Sequence, residues 1–185
     1  MKKKYLSILK FLILLNVLMI PFYLISHSKL EIDCWTKFVA FLTDKCLRFL
    51  KIDVERNGNI LNINTGTSLW VIEISWDSSG WKSLCFCSAL IIATPLVSLK
   101  RKIKGLIIIL PLLFFLNYFR ILSTILLGIN YGKQTFDFLH LFLWRALNII
   151  VVPLIWFLWF RREYRIREKH GRFKRNARFS KGKSR

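Results

Sequence analysis

The sequence predicts an all-α polytopic membrane protein with about four transmembrane helices, an interfacial amphipathic helix and a small extracytoplasmic β-meander. Two observations predict this class. The 185 residues are 54% hydrophobic, yet they carry 30 Lys and Arg against 10 Asp and Glu, a formal net charge of +20. Bilayer-spanning helices joined by basic loops keep such residues apart in space. The chain also contains four apolar runs of about the length that a membrane helix needs, roughly 20 residues.

The four apolar runs are the candidate transmembrane helices, and each contains one proline, which membrane helices tolerate better than soluble ones. They cover residues 5–26, 81–97, 105–127 and about 136–160. The first run follows three lysines and is open to two interpretations, a signal peptide or a retained anchor. Because no small-residue cleavage site follows it, we favour the anchor. The second run is short unless the residues before Trp81 extend it.

The distribution of charge predicts the orientation of the chain. The first ten residues, the segment 98–104 and the tail 161–185 together hold 20 of the 30 cations but only two of the ten acids. The positive-inside rule therefore places both termini in the cytoplasm and segments 27–80 and 128–136 outside. The tail could be read as an arm that binds nucleic acid, but we expect it to lie against anionic lipid and expect no nucleic-acid partner.

We expect a single membrane domain over residues 1–185. Its parts are a first transmembrane helix (1–26), an extracytoplasmic helix with strands (27–80), a three-helix catalytic core (81–160) and a basic cytoplasmic tail (161–185). The four cysteines predict neither a disulfide framework nor a metal site. A bridge between Cys34 and Cys46 stays open as an alternative, whereas Cys85 and Cys87 are interpreted as small core residues of the second helix.

The outer segment contains an amphipathic pattern followed by short strands. Within residues 35–50, one helical face contains Trp35, Phe38, Val39, Leu42, Cys46 and Phe49, and the opposite face contains Lys37, Asp44 and Arg48. Such a pattern is typical of an interfacial helix. Asn57-Gly58 is a strong hairpin signal and Thr65-Gly66 a weaker one. After these turns, the apolar residues alternate as in a half-buried strand at Trp70, Ile72, Ile74 and Trp76.

Polar side chains from three predicted membrane helices fall at one depth. At about 1.5 Å per residue, Arg120 lies roughly 24 Å, Arg145 roughly 22 Å and His140 roughly 30 Å above the inner face, and Ser78 roughly 28 Å if the second helix extends that far. All four lie in or near the outer quarter of a hydrocarbon core of about 30 Å. Each also has a structural interpretation: the arginines can snorkel, His140 can be an interface residue and Ser78 a helix N-cap. Their common depth favours a functional site, because ionisable groups in a membrane are costly.

Three short motifs resemble those of the exosortase/archaeosortase family of membrane transpeptidases. Residues 78–83 (SSGWKS) resemble the family's C-[ST]-G-x-[KR]-S motif in all but the first residue. Asn117 and Arg120 match its N-x-x-R motif, and His140 matches the histidine at the start of its last core helix. Each motif is short, but their order, topology and spacing together are specific, and the resemblance covers roughly residues 50–160.

The resemblance fails at one position. The family's nucleophile is the cysteine that opens the first motif, and this chain has Ser78 there. Aligning the motif on Cys87 would lose the glycine and the basic-Ser pair and would place the thiol deep in the bilayer. Two explanations remain: a deliberate Cys→Ser change that silences the enzyme, which we favour because the rest of the motif is intact, or a natural member that is inactive or uses serine. Residues 76–77 and 81–82 look more like the archaeal branch of the family.

The resemblance implies a sorting enzyme that acts on secreted proteins with a hydrophobic C-terminal signal, and we expect neither a cofactor nor a metal. The nucleophile at position 78 would attack a peptide carbonyl, His140 would move the proton, and Arg120 would stabilise the oxyanion or clamp the substrate. Asn117 is a candidate for substrate binding, and Arg145 could contact substrate or hold the fourth helix in register. The acyl group would pass to an amine, which we expect to be linked to a membrane lipid.

Two hypotheses from other classes compete with the enzyme. The first is a non-catalytic membrane protein that binds sorting signals or lipids, and it needs a groove but no thiol. The second is an accessory subunit of a transport or glycan-assembly complex. The second gives no reason for Asn117, Arg120 and His140 to converge.

Overall fold

The structure is a computed structural model that describes residues 2–27, 32–66 and 68–166. Its helices are α1 (Lys2–His27), α2 (Asp33–Phe49), α3 (Trp81–Ala93), α4 (Leu99–Tyr131) and α5 (Lys133–Ile166). Its strands are β1 (Asp53–Asn57), β2 (Ile60–Asn64) and β3 (Leu69–Glu73). The predicted class, mostly helical with a small sheet, is confirmed, whereas the predicted tail lies outside the described residues from 167 onward.

Within the described residues, α1, α4 and α5 are long and apolar enough to cross a membrane. Helix α3 is apolar but has only 13 residues, which is about 20 Å at about 1.5 Å per residue. It ends at Ala93 and not at the predicted Val97, because Pro95 disfavours helical backbone at Thr94, whose ψ is 117°. The helices support a multi-pass membrane protein, but the predicted count of about four crossings is not confirmed.

Helix α4 begins earlier than the sequence predicts. The segment 98–104, predicted to be a loop, is helical from Leu99 onward. The helix continues through Pro111 for 33 residues in all. Gly132, with a φ of 91°, then separates it from α5. The four cations of 98–104 therefore lie on the first turns of a membrane helix and not on a separate loop.

Helix α5 changes its winding in the middle. It consists of the α-helix Lys133–Ala146, the π-helical turn Leu147–Val151 and a further α-helical stretch. The π turn lies directly before Pro153, which has no N–H to donate and whose ring would clash with a carbonyl of a regular preceding turn. The wider turn accommodates the proline without ending the helix.

The strands form one antiparallel sheet in the order β1-β2-β3. The Asn57-Gly58 hairpin is confirmed by a tight turn in which Asn57 pairs with Ile60. Thr65-Gly66 lies between β2 and β3, again as predicted. The alternation predicted for β3 is also confirmed, with Trp70 and Ile72 half-buried or buried and Leu69, Val71 and Glu73 exposed.

Helix α2 is confirmed, but the face that packs on the protein is not the one that the pattern singled out. Its buried residues are Thr36, Val39, Ala40, Thr43, Asp44 and Leu47. Asp44, assigned to the solvent face, is only 6% exposed and accepts a hydrogen bond from Nε of Arg48 at 2.8 Å. Phe49, assigned to the apolar face, is 85% exposed. The small and branched side chains on the buried face of α2 allow the sheet to approach the helix closely. A pattern of hydrophobicity alone does not show that this face is the one that packs against the sheet.

All four cysteines are free. Cys34 and Cys46 lie on the same helix, α2, at a separation of about 18 Å along its axis. A disulfide requires Cα atoms within about 7 Å of each other, so the bridge left open above cannot form in this fold.

Two hydrophobic clusters divide the molecule. The cap core lies under the sheet and contains Val39, Ala40, Leu47, Val54, Leu61, Ile63, Ile72, Ile74, Ile121 and Ile125. The base core lies among the helices and contains Cys87, Leu90, Ile91, Ile109, Leu113, Val152 and Trp159. Helix α4 contributes to both, so it fixes the cap relative to the bundle. The chain enters the bundle from the sheet through the 3-10 turn Asp77–Ser79.

Candidate functional site

Ser78 lies on the 3-10 turn that joins the sheet to α3. The turn ends at Gly80, whose φ is 89°. A Cβ atom at Gly80 would lie 2.6 Å from Nδ2 of Asn117 and 2.7 Å from its Cγ. On the other side of the turn, the indole N–H of Trp35 donates to the carbonyl of Ser79 at 3.3 Å. Both the positive φ and the close contact require glycine, and the turn is held between α2 and α4.

Asn117 and Arg120 lie one helical turn apart on α4 and bind the backbone of Ser78. Nη2 of Arg120 donates to the Ser78 carbonyl oxygen at 2.9 Å, and Nδ2 of Asn117 donates to the same oxygen at 3.2 Å. Both side chains are buried, Asn117 at 3% and Arg120 at 5% exposure. The N-x-x-R residues therefore position the turn that carries Ser78. The contact of Asn117 is with the protein's own backbone, and its predicted role in substrate binding stays a prediction.

Arg120 has further donors that no protein group uses. Its Nε and Nη1 atoms are buried and have no hydrogen-bond partner among the described residues. Leaving such groups unpaired costs free energy. Arg120 lines a cavity of about 30 Å³ together with Ser78 and His140. That volume holds about one water molecule or one small polar group. Three residues predicted to be catalytic thus surround one small cavity.

His140 lies on the first part of α5, half-buried, with its ring stacked on Phe136 at 6.0 Å between centroids. Helix α5 comes close to α4 at Gly128, where an added Cβ would lie 2.8 Å from Cβ of Phe136. No hydrogen bond joins the His140 ring to another group in the part of the chain that the structure describes. The imidazole is therefore available to a group bound in the cavity.

Ser75 is a site residue that sequence reasoning missed. Its hydroxyl donates to Oγ of Ser78 at 2.9 Å, and the Ser78 N–H donates to the Ser75 carbonyl at 3.1 Å. The strand pattern assigned Ser75 to an outward position, and Ser75 is exposed, but β3 ends at Glu73 and the turn that follows brings the Ser75 hydroxyl to Ser78. The spacing of three residues across a turn was the signal that could have found this contact.

The remaining residues of the first motif bind to their neighbours and not to the cavity. Oγ of Ser83 donates to Oδ1 of Asn148 at 2.7 Å, which joins α3 to the π turn of α5. Nζ of Lys82 pairs with Oδ1 of Asp77 at 2.8 Å. Asn148 was also missed by sequence reasoning, although an amide inside an apolar run is itself a sign of contact with another helix. These contacts brace the start of α3.

Arg145 is not brought to the other site residues. It is exposed and does not line the cavity that Ser78 shares with His140. The depth of a residue along a helix does not fix the direction in which its side chain points around the helix axis. Arg145 follows His140 by five residues, so its side chain points roughly 140° away from that of His140 around the axis.

Cys87 is fully buried in the base core and Cys85 is exposed. Neither lines the cavity, which disfavours the alternative alignment of the motif on Cys87.

A groove of about 610 Å³ continues from the cavity along β3. Strand β3 forms one wall, and Ser75 and Ser78 lie at its end. The opposite wall is one face of the first two turns of α5, made by Lys133, Phe136, Asp137 and His140. The described residues contain no cluster of three or more His, Cys, Asp and Glu side chains suited to a metal ion.

The fold and site define a polytopic membrane protein with a polar, partly unsatisfied centre where the helices meet a small sheet. The family model of the transmembrane exosortases (Exosortase_EpsH) matches residues 2–157. The chain therefore belongs to this family, whose members are cysteine-transpeptidase-type enzymes that act on secreted proteins with C-terminal sorting signals. Comparisons with curated proteins and with solved structures gave no match.

Proposed function

We propose that the protein is a membrane sorting transpeptidase, of the archaeal branch, whose reaction takes place in the cavity between Ser78, Arg120 and His140. The observation that carries this proposal is the set of free Arg120 donors beside that cavity. In the proposed reaction, the side chain of residue 78 attacks the carbonyl carbon of the scissile peptide bond. The oxygen that becomes negative is stabilised by Nε and Nη1 of Arg120, which cannot lose its charge.

His140 is proposed to move the protons. It accepts the proton of the nucleophile and delivers it to the nitrogen of the leaving peptide as the C–N bond breaks. The substrate is then joined to residue 78 through its acyl carbon. An amine, proposed to belong to a membrane lipid, attacks this carbon and passes its proton through His140 to the side chain of residue 78. No cofactor takes part in the proposed steps.

The identity of residue 78 sets the expected rate. A free thiol has a pKa of about 8.5, and a protonated imidazole beside it lowers that pKa, so the thiol can ionise near neutral pH. A hydroxyl must instead lose its proton during the attack. The chain with Ser78 is therefore proposed to bind substrate and turn it over slowly, as a Cys→Ser form of an active enzyme. The codon at position 78 in the native gene distinguishes a deliberate change from a natural variant.

A second candidate function is a non-catalytic protein that binds sorting signals or lipids. The observation that favours it is the hydrogen bond between the hydroxyls of Ser75 and Ser78, in which Oγ of Ser78 is already the acceptor. A binding protein of this kind would keep the groove and would gain no activity from a cysteine at position 78. The two candidates therefore differ in what the Ser78→Cys variant does.

The decisive experiment compares the Ser78 protein with its Ser78→Cys variant, each with Cys85 and Cys87 changed to Ala. Each is co-expressed with tagged secreted proteins that end in a hydrophobic helix and a basic tail. We expect Ser78→Cys to cleave such a signal and to form a thioester that hydroxylamine releases. Activity that depends on Cys85 or Cys87 would contradict the motif alignment. Binding without cleavage in the Ser78→Cys form would support the binding protein instead.

The proposed orientation has the termini in the cytoplasm and the cap, with the site, on the outer face. It rests on the distribution of Lys and Arg. Single cysteines placed at residues 58 and 102 in a cysteine-free background test it by labelling intact cells with a membrane-impermeant maleimide. We expect label at residue 58 and protection at residue 102. The reverse pattern would place Ser78 on the wrong side for secreted substrates.

A further inference from the structure

Within the described residues, strand β3 has one edge that pairs with no other strand, and this edge faces the groove. Its other edge pairs with β2, and in an antiparallel pair successive residues point their N–H and C=O groups alternately toward the partner and away from it. The N–H of Ile74 donates to the carbonyl of Asn59 across the pair at 2.9 Å. By this alternation, Trp70 and Ile72 also bind β2. The backbone groups that point to the groove therefore belong to Leu69, Val71 and Glu73.

The two edges of the sheet are protected differently. Strand β1 (DVERN) carries charges at Asp53, Glu55 and Arg56, and α2 packs against it. Strand β3 (LWVIE) has only Glu73, while Leu69 and Val71 are 68% and 65% exposed. Charges on an edge strand disfavour its pairing with another chain. The charges thus disfavour pairing at β1, whereas β3 is able to accept a further strand.

We propose that β3 binds the substrate as a fourth strand, through the extended segment that precedes the hydrophobic helix of a C-terminal sorting signal. The inference rests on the function proposed above and deepens it. An extended peptide backbone is complementary to the edge, because it offers alternating donors and acceptors at the same spacing. The groove leads from this edge to Ser78 and His140, so a strand bound along β3 carries its next peptide bond to the cavity.

The shape of the groove favours a single peptide strand over a second copy of this chain. The α5 face opposite β3 encloses the edge and leaves about 610 Å³, a usual size for a ligand groove. A second copy would have to insert its own edge together with the sheet and helices attached to it. The Trp70 and Phe136 rings, 6.1 Å apart between centroids, join the two walls. Alternate substrate side chains would lie against these rings, so recognition should repeat every second residue.

The test uses the Ser78→Cys protein and a sorting signal that it processes in co-expression. Val71→Pro removes one N–H that points to the groove and leaves the bonds to β2 intact, as edge strands allow. We expect the rate of processing to fall roughly tenfold, the effect of losing about one hydrogen bond. Val71→Ala keeps the N–H and should lose clearly less activity than Val71→Pro, whereas Arg56→Pro, the same change on the opposite edge, should stay within about twofold. Equal rates in Val71→Pro and Val71→Ala would overturn the inference.

A second measurement leaves the protein unchanged. Synthetic peptides of the processed segment are methylated at one backbone nitrogen at a time and compared as competitors of processing. Strand pairing predicts that inhibition is lost at every second position and kept at the positions between. A uniform or irregular pattern would contradict the edge-strand mode even if Val71→Pro fails to fold. A Ser78→Cys protein that processes no signal would instead overturn the proposed function, so the two failures are distinguishable.

Discussion

Two buried polar side chains, Thr94 in the base and Arg120 at the cap, differ in how fully they are hydrogen-bonded. In the base, the buried hydroxyl of Thr94 donates to the carbonyl of Leu90 at 2.7 Å and accepts from Nε1 of Trp156 at 2.9 Å. At the cap, buried Arg120 binds the Ser78 carbonyl but has two donors without a partner among the described residues. A satisfied buried group holds helices together, whereas an unsatisfied one costs stability and is typical of a functional site.

The arginines of the two ends differ in exposure and in whether a carboxylate lies nearby. Arg101, near the base, lies 3.7 Å from a carboxylate oxygen of Glu163, and its side chain is 38% exposed. Arg120 is 5% exposed and forms no ion pair within the described ranges. A charge buried without a carboxylate partner is expensive, which makes a purely structural role for Arg120 difficult to justify. The substitutions that follow should therefore separate activity at the cap from stability at the base.

The largest effects are expected at Arg120 and His140 in the Ser78→Cys background. Arg120→Lys keeps the charge but loses the planar set of donors, and we expect processing to fall about 10²–10³-fold. His140→Ala removes the proton carrier and should cost about 10²–10⁴-fold. Processing of a co-expressed signal measures both, and the amount of protein in the membrane measures folding. Arg101→Lys at the base is the matched control and should be active; full activity in either cap variant would reduce that residue to a structural role.

The next effect is expected at Gly80. Gly80→Ala combines an unfavourable positive φ with a Cβ 2.6 Å from Asn117, so the turn carrying Ser78 must move. A displacement of about 1 Å at a catalytic centre can cost about 10²-fold in rate. Gly132→Ala is the matched control, because Gly132 has a φ of 91° but nothing within 4 Å of an added Cβ. Both variants should unfold at a lower temperature in detergent, and only Gly80→Ala should process the sorting signal more slowly.

The smallest effect is expected from Thr94→Val in the base. The change keeps the shape of the side chain but leaves Nε1 of Trp156 without its acceptor, which should cost about 1–2 kcal/mol of unfolding free energy. Thermal unfolding in detergent checks this value. Processing by the Ser78→Cys protein should be unchanged by Thr94→Val. A loss of activity greater than the loss of folded protein would show that the two ends are coupled.

Local patterns predicted much of the fold because their signals lie within a few residues. The Asn57-Gly58 turn, the alternation in β3 and the helical content follow from backbone preferences and from the period of apolar side chains. The prediction placed the end of α3 too late, at Val97 and not at Ala93, because the apolar run continues past Pro95. The protein-facing side of α2 was missed because an amphipathic pattern does not say which partner covers it.

For the candidate site, the sequence by itself predicted a common depth for Ser78, Arg120 and His140, from the rise per residue along each helix. It could not determine direction around the helix axes, and Arg145 accordingly lies away from the cavity that His140 lines. Only the tertiary structure decided that Asn117 and Arg120 bind the Ser78 carbonyl, that Ser75 reaches the Ser78 hydroxyl, and that the free edge of β3 opens on the same centre. These contacts join residues from separate elements, so they depend on how helices and strands pack against one another and not on the pattern within any one of them.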